Sequence, residues 1–208
     1  MKSIILAGNM KSVDFDSTFL GRLENQITKL SKFSHVIVLS NLLARANFHQ
    51  APNNAQFIRI PEGTSGALAT AGFGLSMLSD NEPFLIIPSN AEVAGDIAER
   101  FFESMFNSNA AVGAIVFSGT DPMYSYARLN HSGEVMEVVE KQVSGSCALA
   151  GIYYFSNRES LSNCLEWAMV NNIQNQGIFF ISPALNYFVA KSIEISLFEI
   201  PSQEYLRY

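Results

Sequence analysis

The sequence predicts an α/β domain built on a mixed, mostly parallel sheet, and two observations support that prediction. Short continuous apolar runs, such as those at 83–88 and 111–117, alternate with segments whose apolar residues recur at helical spacing. Runs of this kind are typical of strands that are buried on both faces of a sheet. Later in the chain, two alternating segments flank the turn sequence Asn130-His131-Ser132-Gly133, which predicts a β-hairpin. Strand–helix alternation followed by a hairpin favours parallel strands with an antiparallel insertion.

The expected elements follow one another through the chain without a linker. Strands are expected at 3–7, 36–39, 57–60, 83–88, 111–117, 125–129, 135–140, 149–155, 177–181 and 193–200. The first helix is expected to bury Phe19, Leu23, Ile27 and Leu30, with Asp16 or Ser17 as its N-cap. Further helices are expected around 68–78, 94–105 and 161–169, and a last one is opened by Ser182-Pro183, with the serine as cap. No repeat or low-complexity tract interrupts the pattern, so residues 1–208 are predicted to form a single domain.

Composition narrows the classes of protein to consider. Hydrophobic residues make up 48% of the chain and charged residues 15%, which excludes a disordered protein. No apolar run approaches the roughly 20 residues that span a bilayer, so no membrane insertion is expected. The net charge of −6 without a basic cluster argues against nucleic acid as a partner.

Cysteine and phenylalanine positions suggest a compartment and an assembly state. Cys147 and Cys164 lie far apart in apolar settings, and no secretion signal is evident, so both are expected to be reduced in a cytoplasmic protein. The adjacent pairs Phe101-Phe102 and Phe179-Phe180 favour a homodimer, because large exposed apolar patches usually mark interfaces.

The stretch 57–93 contains a candidate binding site. The turn Gly63-Thr64-Ser65-Gly66-Ala67 leads into a helix, and the next apolar strand ends abruptly at Ser89-Asn90. Ligands of open α/β sheets bind outside the carboxyl ends of the strands, and helix N-termini offer free N–H groups there. We therefore expect the turn and Ser89-Asn90 to form two walls of one cleft.

Five short segments then resemble a known family. In order and spacing, GTSGALATA, FLIIPSNAEV, GAIVF…YSYARLNHSGEVMEVVEK, ALAGIYYF and ISPALNYFV are similar to the sugar-phosphate nucleotidylyltransferases, the nucleoside-diphosphate-sugar pyrophosphorylases. The resemblance covers 3–8 and 18–200, and it implies a Rossmann-like, glycosyltransferase-A type fold. It also implies that a sugar-1-phosphate and a nucleoside triphosphate react to give a nucleotide-sugar and pyrophosphate, with Mg²⁺ as cofactor.

The resemblance implies roles for individual positions of this chain. Leu6, Ala7 and Gly8 match the end of the first strand that receives the nucleotide base, and Thr64, Ser65, Gly66 and Ala67 match the turn that also holds it. Glu140 and Lys141 match a pair that grips the sugar and its phosphate, with Lys141 as the phosphate clamp. Gly151 matches a glycine whose backbone meets the sugar ring, and Asn186 matches a family asparagine. Asn90 falls where the family carries the aspartate that holds magnesium.

Three departures from the family concern the triphosphate and its metal. Gly8 is followed by Asn9-Met10-Lys11-Ser12-Val13-Asp14, in which the family's Gly-rich loop with its arginine and its Lys-Pro is missing. Asn90 offers a neutral oxygen, whereas Mg²⁺ sites usually rely on carboxylates. Glu92 is a possible substitute ligand, and no aspartate matching the family's second metal ligand precedes Tyr208.

The predicted site residues also have ordinary structural interpretations. Thr64 and Ser65 suit a helix cap, Asn90 the end of a strand, Glu140 with Lys141 an ion pair, and Gly151 close packing. Asp14-Phe15-Asp16 matches the metal motif of glycosyltransferases, but it precedes a helix, where capping is the simpler explanation. His35, His49 and His131 have no neighbouring Cys or His at metal-ligand spacing.

Three hypotheses about function follow. The first is an active nucleotidylyltransferase that serves surface polysaccharide or capsule synthesis. The second is a related binding or regulatory protein that has lost nucleotidyl transfer, which the missing loop favours. The third is a glycosyltransferase that uses a nucleotide-sugar, against which the position of the acidic motif weighs. All three hypotheses predict that the ligand is a nucleotide, a sugar phosphate or a nucleotide-sugar.

Overall fold

A nine-stranded mixed sheet forms the centre of the molecule. The computed structural model describes residues 1–8, 17–43, 47–48 and 51–207. The strands of the chain are β1 (Lys2–Ala7), β2 (His35–Ser40), β3 (Ala55–Arg59), β4 (Phe84–Pro88), β5 (Ala91–Val93), β6 (Val112–Ser118), β7 (Ser125–Leu129), β8 (Val135–Val139), β9 (Cys147–Phe155), β10 (Ile195–Ile200) and β11 (Tyr205–Arg207). All except β5 and β11 belong to the central sheet. Seven of its strands lie side by side in the order β10-β6-β9-β4-β1-β2-β3, and the hairpin β7–β8 joins the sheet through β9.

Parallel pairing dominates along the seven adjacent strands, as the sequence predicts. β1 pairs in parallel with β2 and β4, β2 pairs in parallel with β3, and β6 pairs in parallel with β10. β9 is antiparallel to both β4 and β6, and so joins the two parallel blocks. The prediction of a mixed, mostly parallel sheet with a hairpin insertion is confirmed.

Helices cover both faces of the sheet. They are α1 (Ser17–Leu30), α2 (Ala67–Gly74), α3 (Ile97–Asn107), α4 (Arg158–Val170), α5 (Ile181–Ala184) and α6 (Asn186–Ala190). Alternate residues of the central strands point to opposite faces, so Ile5 and Ile87 pack with α1 and α3, while Ile4 and Ile86 pack with α2, α4, α5 and α6. Both faces of β1 and β4 are therefore apolar, which explains their continuous hydrophobic runs.

The hairpin turn follows the predicted geometry. Gly133 adopts a φ of +86°, which favours glycine, and its N–H donates to the carbonyl oxygen of Asn130 at 3.1 Å. The side chain of Asn130 accepts hydrogen bonds from the N–H groups of Ser132 and Glu134, both at 2.9 Å. The turn therefore fixes the register of β7 and β8.

Two strands were not expected from the sequence. β5 follows Asn90 directly and pairs in antiparallel register with β11, so that Tyr205 lies opposite Val93 and Arg207 opposite Ala91. Each strand has three residues, which is too short for an alternating pattern to be recognised. This small second sheet brings residues 205–207 beside the turn at Asn90.

The predicted strand at 177–181 is wrong. The N–H of Phe179 donates to the carbonyl oxygen of Ser65, and its carbonyl oxygen accepts from the N–H of Leu68, so this backbone joins the first turn of α2 instead of a sheet. α5 then begins at Ile181. The prediction that Ser182 caps this helix is also wrong, because Phe180 precedes the helix and the Ser182 side chain bonds elsewhere.

Of the two aromatic pairs expected on the surface, Phe179-Phe180 is half-buried and Phe101-Phe102 packs into the core. Phe101 is fully buried, and Phe102 packs edge-on against Tyr154 with ring centroids 5.6 Å apart. These two side chains complete the core between α3 and the sheet, so the sequence argument for a dimer loses this support.

No helix among the described residues combines the length and the apolar character needed to cross a bilayer. Cys164 is buried and Cys147 half-buried, and both are free thiols. The predicted N-cap of α1 at Asp16, the acidic motif at 14–16 and the sequence that replaces the Gly-rich loop lie outside the described residues.

Candidate functional site

A cleft of ≈ 250 Å³ lies at the carboxyl ends of β1 and β4, where Leu6 and Pro88 line it. Larger hollows exist, one of ≈ 370 Å³ between α1 and α3 and one of ≈ 510 Å³ beside α2. We place the candidate site in the smaller cleft because it lies at the ligand-binding edge of an α/β sheet and polar groups converge on it from separate elements. Its polar and aromatic lining comes from Asn90, Ser125, Glu140, Tyr153, Phe180, Ser182, Tyr205 and Arg207.

Glu140 is held in the cleft by two hydroxyl groups. It follows β8, and its Oε2 accepts hydrogen bonds from Ser125 at the start of β7 and from Ser182 in α5, the latter at 2.6 Å. The two hydroxyl oxygens lie 2.8 Å from each other. Hydroxyl donors satisfy the carboxylate without neutralising it, so Glu140 keeps an acceptor for a ligand hydroxyl group.

Tyr153 extends this polar cluster into the cleft. Burial, together with the negative charge of Glu140, raises the pKa of the Tyr153 hydroxyl far above its ordinary value, although a hydrogen bond with Ser182 acts in the opposite direction. The phenol therefore stays protonated at neutral pH, and its hydroxyl belongs to the same hydrogen-bonded cluster as Ser182 and Glu140.

Lys141 stands at the rim of the cleft in an unusual conformation. Its φ is +53°, in the left-handed region that bulky side chains avoid. Its Nζ lies 5.0 Å from the ring centroid of Phe180, which lines the cleft. The turn after β8 therefore brings the ammonium group against Phe180, next to the cleft, whereas Glu140 lines the cleft and Lys141 is not among its described lining residues.

Position 151 favours glycine because of its backbone conformation, and not because a side chain would lack space. Its φ is +79°, and a Cβ built there would lie 3.4 Å from the Cγ of Pro88, an ordinary contact. The residue sits where the register of β9 against β6 shifts, between the pairs Ala114–Tyr153 and Val116–Leu149. This bulge turns the backbone at Gly151 toward the cleft, which it lines.

Only some of the residues predicted to bind the nucleotide line the cleft. Leu6 and Ala67 line the cleft, whereas Ala7 is buried in the core on the face covered by α1 and α3. Gly8 lies against Thr70, because a Cβ built at Gly8 would come within 2.6 Å of the Thr70 Oγ1.

Other residues of the chain cover the turn before α2 and use its hydrogen-bonding groups. Thr64 and Ser65 line the hollow of ≈ 510 Å³ beside α2, and the Thr64 hydroxyl is hydrogen-bonded to that of Thr70 at 2.9 Å. The N–H of Gly66 donates to the carbonyl oxygen of Thr64, and the backbone of Phe179 covers Gly66. Of the turn predicted to hold the base, only Ala67 thus reaches the cleft with the sugar-side residues.

Asn90 lies on an exposed turn between β4 and β5 and lines the cleft. The backbone around it is fixed, since the N–H of Ser89 donates to the carbonyl oxygen of Leu6 at 3.0 Å and the Gln26 amide donates to that of Ala91 at 2.7 Å. Glu92, the suggested substitute ligand, points away to α1, where its carboxylate binds Lys29 and Asn25.

The cleft offers a poor set of ligands for Mg²⁺ within the part of the chain that the structure describes. No group of three or more His, Cys, Asp or Glu side chains gathers there at distances suited to a metal. Glu140 is the one described carboxylate lining the cleft, and Asn90 contributes a neutral amide. Mg²⁺ usually requires one or two carboxylates together with phosphates. The single carboxylate is already held by two serine hydroxyl groups and its companion is a neutral amide, so these described residues fit the cation poorly.

The sequence analysis missed several residues that line the cleft: Ser125, Tyr153, Phe180, Ser182, Tyr205 and Arg207. Tyr205 and Arg207 line the cleft from β11, a strand too short to be predicted. Burial raises the pKa of Tyr205 to about 12, partly offset by the positive charge of Arg207. Alternation of an aromatic and a basic residue in Tyr205-Leu206-Arg207 was the only available signal, and it is a weak one.

The side chain of Asn186 has a structural role. Its side chain accepts from the N–H of Val138 and donates to the carbonyl oxygen of Val138, both at 2.8 Å, in the manner of a neighbouring strand. It therefore fixes β8 two residues before Glu140, and so positions the cleft without lining it.

Two solved structures share this architecture. The nucleoside-diphosphate-sugar pyrophosphorylase from Vibrio cholerae RC9 superposes with a TM-score of 0.74 over 100% of this chain and 95% of its own, at 15% sequence identity. A protein from Bacillus anthracis assigned as a glucose-1-phosphate thymidylyltransferase, solved in complex with a sucrose, superposes with a TM-score of 0.75 at 16% identity. That match covers 96% of this chain and 86% of the other.

These likenesses define the class of fold. No family model matches the sequence, and no curated protein matches it. At such low identity, the superpositions establish the Rossmann-like α/β fold that the two neighbours have in common, as the sequence predicted.

Proposed function

We propose that this chain is a sugar-phosphate nucleotidylyltransferase-like protein whose cleft binds a sugar phosphate or a nucleotide-sugar. The supporting observation is that Glu140 and Gly151, the positions that the resemblance assigns to the sugar, line one cleft with Leu6, Ala67 and Asn90. A carboxylate held by hydroxyl donors suits sugar hydroxyl groups, and cations at the rim suit a phosphate.

Nucleotidyl transfer itself is proposed to be weak or lost. The sequence after β1 has Lys11 as its one cation and no Gly-rich run, and Asn90 replaces a charged metal ligand. Phosphoryl-type transfer depends on positioning and on neutralising phosphate charge, so these changes remove what the reaction needs most. The protein would then act as a binding or regulatory relative of the enzymes.

The expected context follows from the ligand. Nucleotide-sugars are the activated donors for polysaccharide synthesis, and sugar phosphates are their precursors in the cytoplasm. We therefore propose a cytoplasmic protein connected with polysaccharide or capsule synthesis.

Thermal shift and calorimetry with sugar-1-phosphates, nucleoside triphosphates and nucleotide-sugars test the proposed ligand. At a ligand concentration about one hundred times Kd, binding adds about 2.7 kcal/mol to the free energy of unfolding, which corresponds to a Tm rise of about 5 to 10 °C. We expect E140Q to abolish the shift, while E137Q, on the exposed hairpin face beside Arg128, retains it. No shift with any phosphorylated sugar or nucleotide would refute the proposal.

A pyrophosphate-release assay tests the loss of activity separately. Binding without release supports a binding protein. Robust Mg²⁺-dependent release from a triphosphate and a sugar-1-phosphate would instead support the active enzyme and overturn the proposed loss.

A further inference from the structure

The position of Arg207 in the cleft is set by backbone pairing. β11 runs antiparallel to β5, and the register places Arg207 opposite Ala91, the residue after Asn90. Both Arg207 and Asn90 line the cleft. Arg207 therefore lines the same cleft as the turn where the family resemblance expects a metal ligand.

The Arg207 side chain is held by neutral groups. Its Nη1 donates to the carbonyl oxygen of Met123 at 3.2 Å, and its guanidinium carbon lies 5.6 Å from the ring centroid of Tyr124. One donor to a carbonyl leaves most of the fork of five N–H groups available. A stacked guanidinium is also well oriented for planar, two-pronged contacts with a phosphate.

The described part of the cleft carries more cations than its acidic protein would suggest. The chain has a net charge of −6, yet among the described residues the charged side chains that line the cleft are Arg207 and Glu140, and the Lys141 ammonium lies against Phe180, another lining residue. Within the described residues, neither cation belongs to an ion pair, and Glu140 is bound by hydroxyl groups. Two cations without acidic partners, where acids outnumber bases overall, indicate an anionic ligand.

The same arrangement disfavours a divalent cation. A fixed positive charge beside Asn90 repels a metal ion at that turn, and the carboxylates that would offset the repulsion are not assembled among the described residues. The described residues of the cleft therefore offer a poor ligand set for Mg²⁺ and, in Arg207, a side-chain cation that can neutralise an anionic ligand.

We propose that Arg207 supplies the positive charge that binds the phosphate or diphosphate of the ligand, with Lys141 as the second cation, and that this binding needs no divalent metal. The inference rests on the proposed function, since it names the group that recognises the phosphorylated end of that ligand. Arg207 is in this account a binding residue, and no chemical step is assigned to it.

Calorimetry with two probes, inorganic pyrophosphate and glucose-1-phosphate, tests the proposal in EDTA and again in Mg²⁺. We expect the wild-type protein to bind both probes in EDTA with affinities similar to those in Mg²⁺. R207Q should bind pyrophosphate about tenfold more weakly or worse, as expected when a charged hydrogen-bond pair is lost. The affinity of R207K for pyrophosphate should lie between those of the wild type and R207Q, because lysine keeps the charge but not the two-pronged geometry.

R128Q is the matched control, because Arg128 is an exposed arginine on the hairpin whose partner is Glu137. It should bind both probes as the wild type does. Since Arg207 pairs with β5 through its backbone, R207Q should keep the wild-type unfolding transition, which is measured alongside.

The outcomes separate the inference from the proposed function. Binding of glucose-1-phosphate that requires Mg²⁺, or that is equal in R207Q and wild type, overturns the inference while the proposed function stands. Absence of binding by either probe under both conditions overturns the inference, and the proposed function falls with it only if nucleotide-sugars and other sugar phosphates also fail to bind.

Discussion

Lys141 shows how a single residue can combine a backbone cost with a contribution to the site. A left-handed conformation costs a residue with a side chain roughly 1–2 kcal/mol, and glycine is the usual solution. The chain instead places a long cation there, immediately after Glu140. Such outliers are worth testing as functional positions, because the surrounding structure must compensate for them.

A pair of glycine substitutions separates the two effects. Ser192, with a φ of +56°, lies in a turn that does not line the cleft, so S192G should raise the free energy of unfolding by about 1 kcal/mol. K141G should raise it less, because it also loses the contact with Phe180, worth about 0.5–1 kcal/mol. Denaturant unfolding measures both changes, and pyrophosphate titration should show weaker binding for K141G alone. Equal binding by both variants would remove Lys141 from the site.

At the scale of residues, the sequence and the resemblance predicted part of the lining of the candidate cleft. Glu140, Gly151, Asn90, Leu6 and Ala67 converge as expected, because each lies at the end of a strand or helix whose pattern is clear. Thr64 and Ser65 do not join them, since no sequence rule shows that a distant backbone at Phe179 covers the turn. Arg207 could not be placed without knowing that β11 pairs with β5.

At the scale of elements, the contact between residues 178–180 and the start of α2 determines which residues reach the cleft. A Cβ at Gly66 would lie 2.5 Å from the carbonyl oxygen of Phe179 and 2.6 Å from the Cγ2 of Ile178. The φ of Gly66 is +107°, outside the regions that side chains tolerate. Glycine is therefore required here both by conformation and by space.

The nearby Gly63 provides a matched control for this contact. It has a φ of +72°, and a Cβ added there would meet no atom within 4 Å, so G63A should cost only the conformational term of about 1–2 kcal/mol. G66A should cost about 1–3 kcal/mol more because of overpacking. Denaturant unfolding measures the difference, and hydrogen exchange should show faster exchange at the amides of Leu68 and Phe179 in G66A. Similar costs for the two variants would contradict the packing described for Gly66.

The elements that the sequence predicted correctly are those with long apolar runs or clear helical periodicity. β1, β4, β6 and β9 are buried on both faces and read as continuous hydrophobic stretches. The predictions failed where pairing is decided by tertiary contacts, as at β5 and β11 or at 177–181. Short segments carry too little pattern to reveal their partner.

For the whole molecule, buried tyrosines set the response to alkaline pH. Burial raises the pKa values of Tyr126, Tyr153, Tyr154 and Tyr205, that of Tyr205 to about 12. A raised pKa in the folded state means that the contribution to stability is complete below the unfolded value, near pH 10, and is lost as the pH rises toward 12.

Denaturant unfolding at a series of pH values should therefore show the folded state losing stability from about pH 10 upward. The contribution of Tyr205 is about 1.4 kcal/mol for each pH unit between about 10 and 12. Y205F should show a shallower decline over this interval, and the difference between the two proteins removes the effect of lysine titration. Parallel curves for Y205F and wild type would show that the Tyr205 hydroxyl is not buried as described.

The position of β9 between the two parallel blocks also affects how the chain is made. β4 is completed at Pro88, but the strand that covers its other edge ends at Phe155. At a synthesis rate of roughly 5–20 residues per second, that edge waits for about 3 to 13 s on the ribosome. An apolar strand with an open edge readily pairs with other chains. During this interval the open edge of β4 therefore exposes the emerging polypeptide to pairing with other chains, a risk that ends when β9 covers that edge.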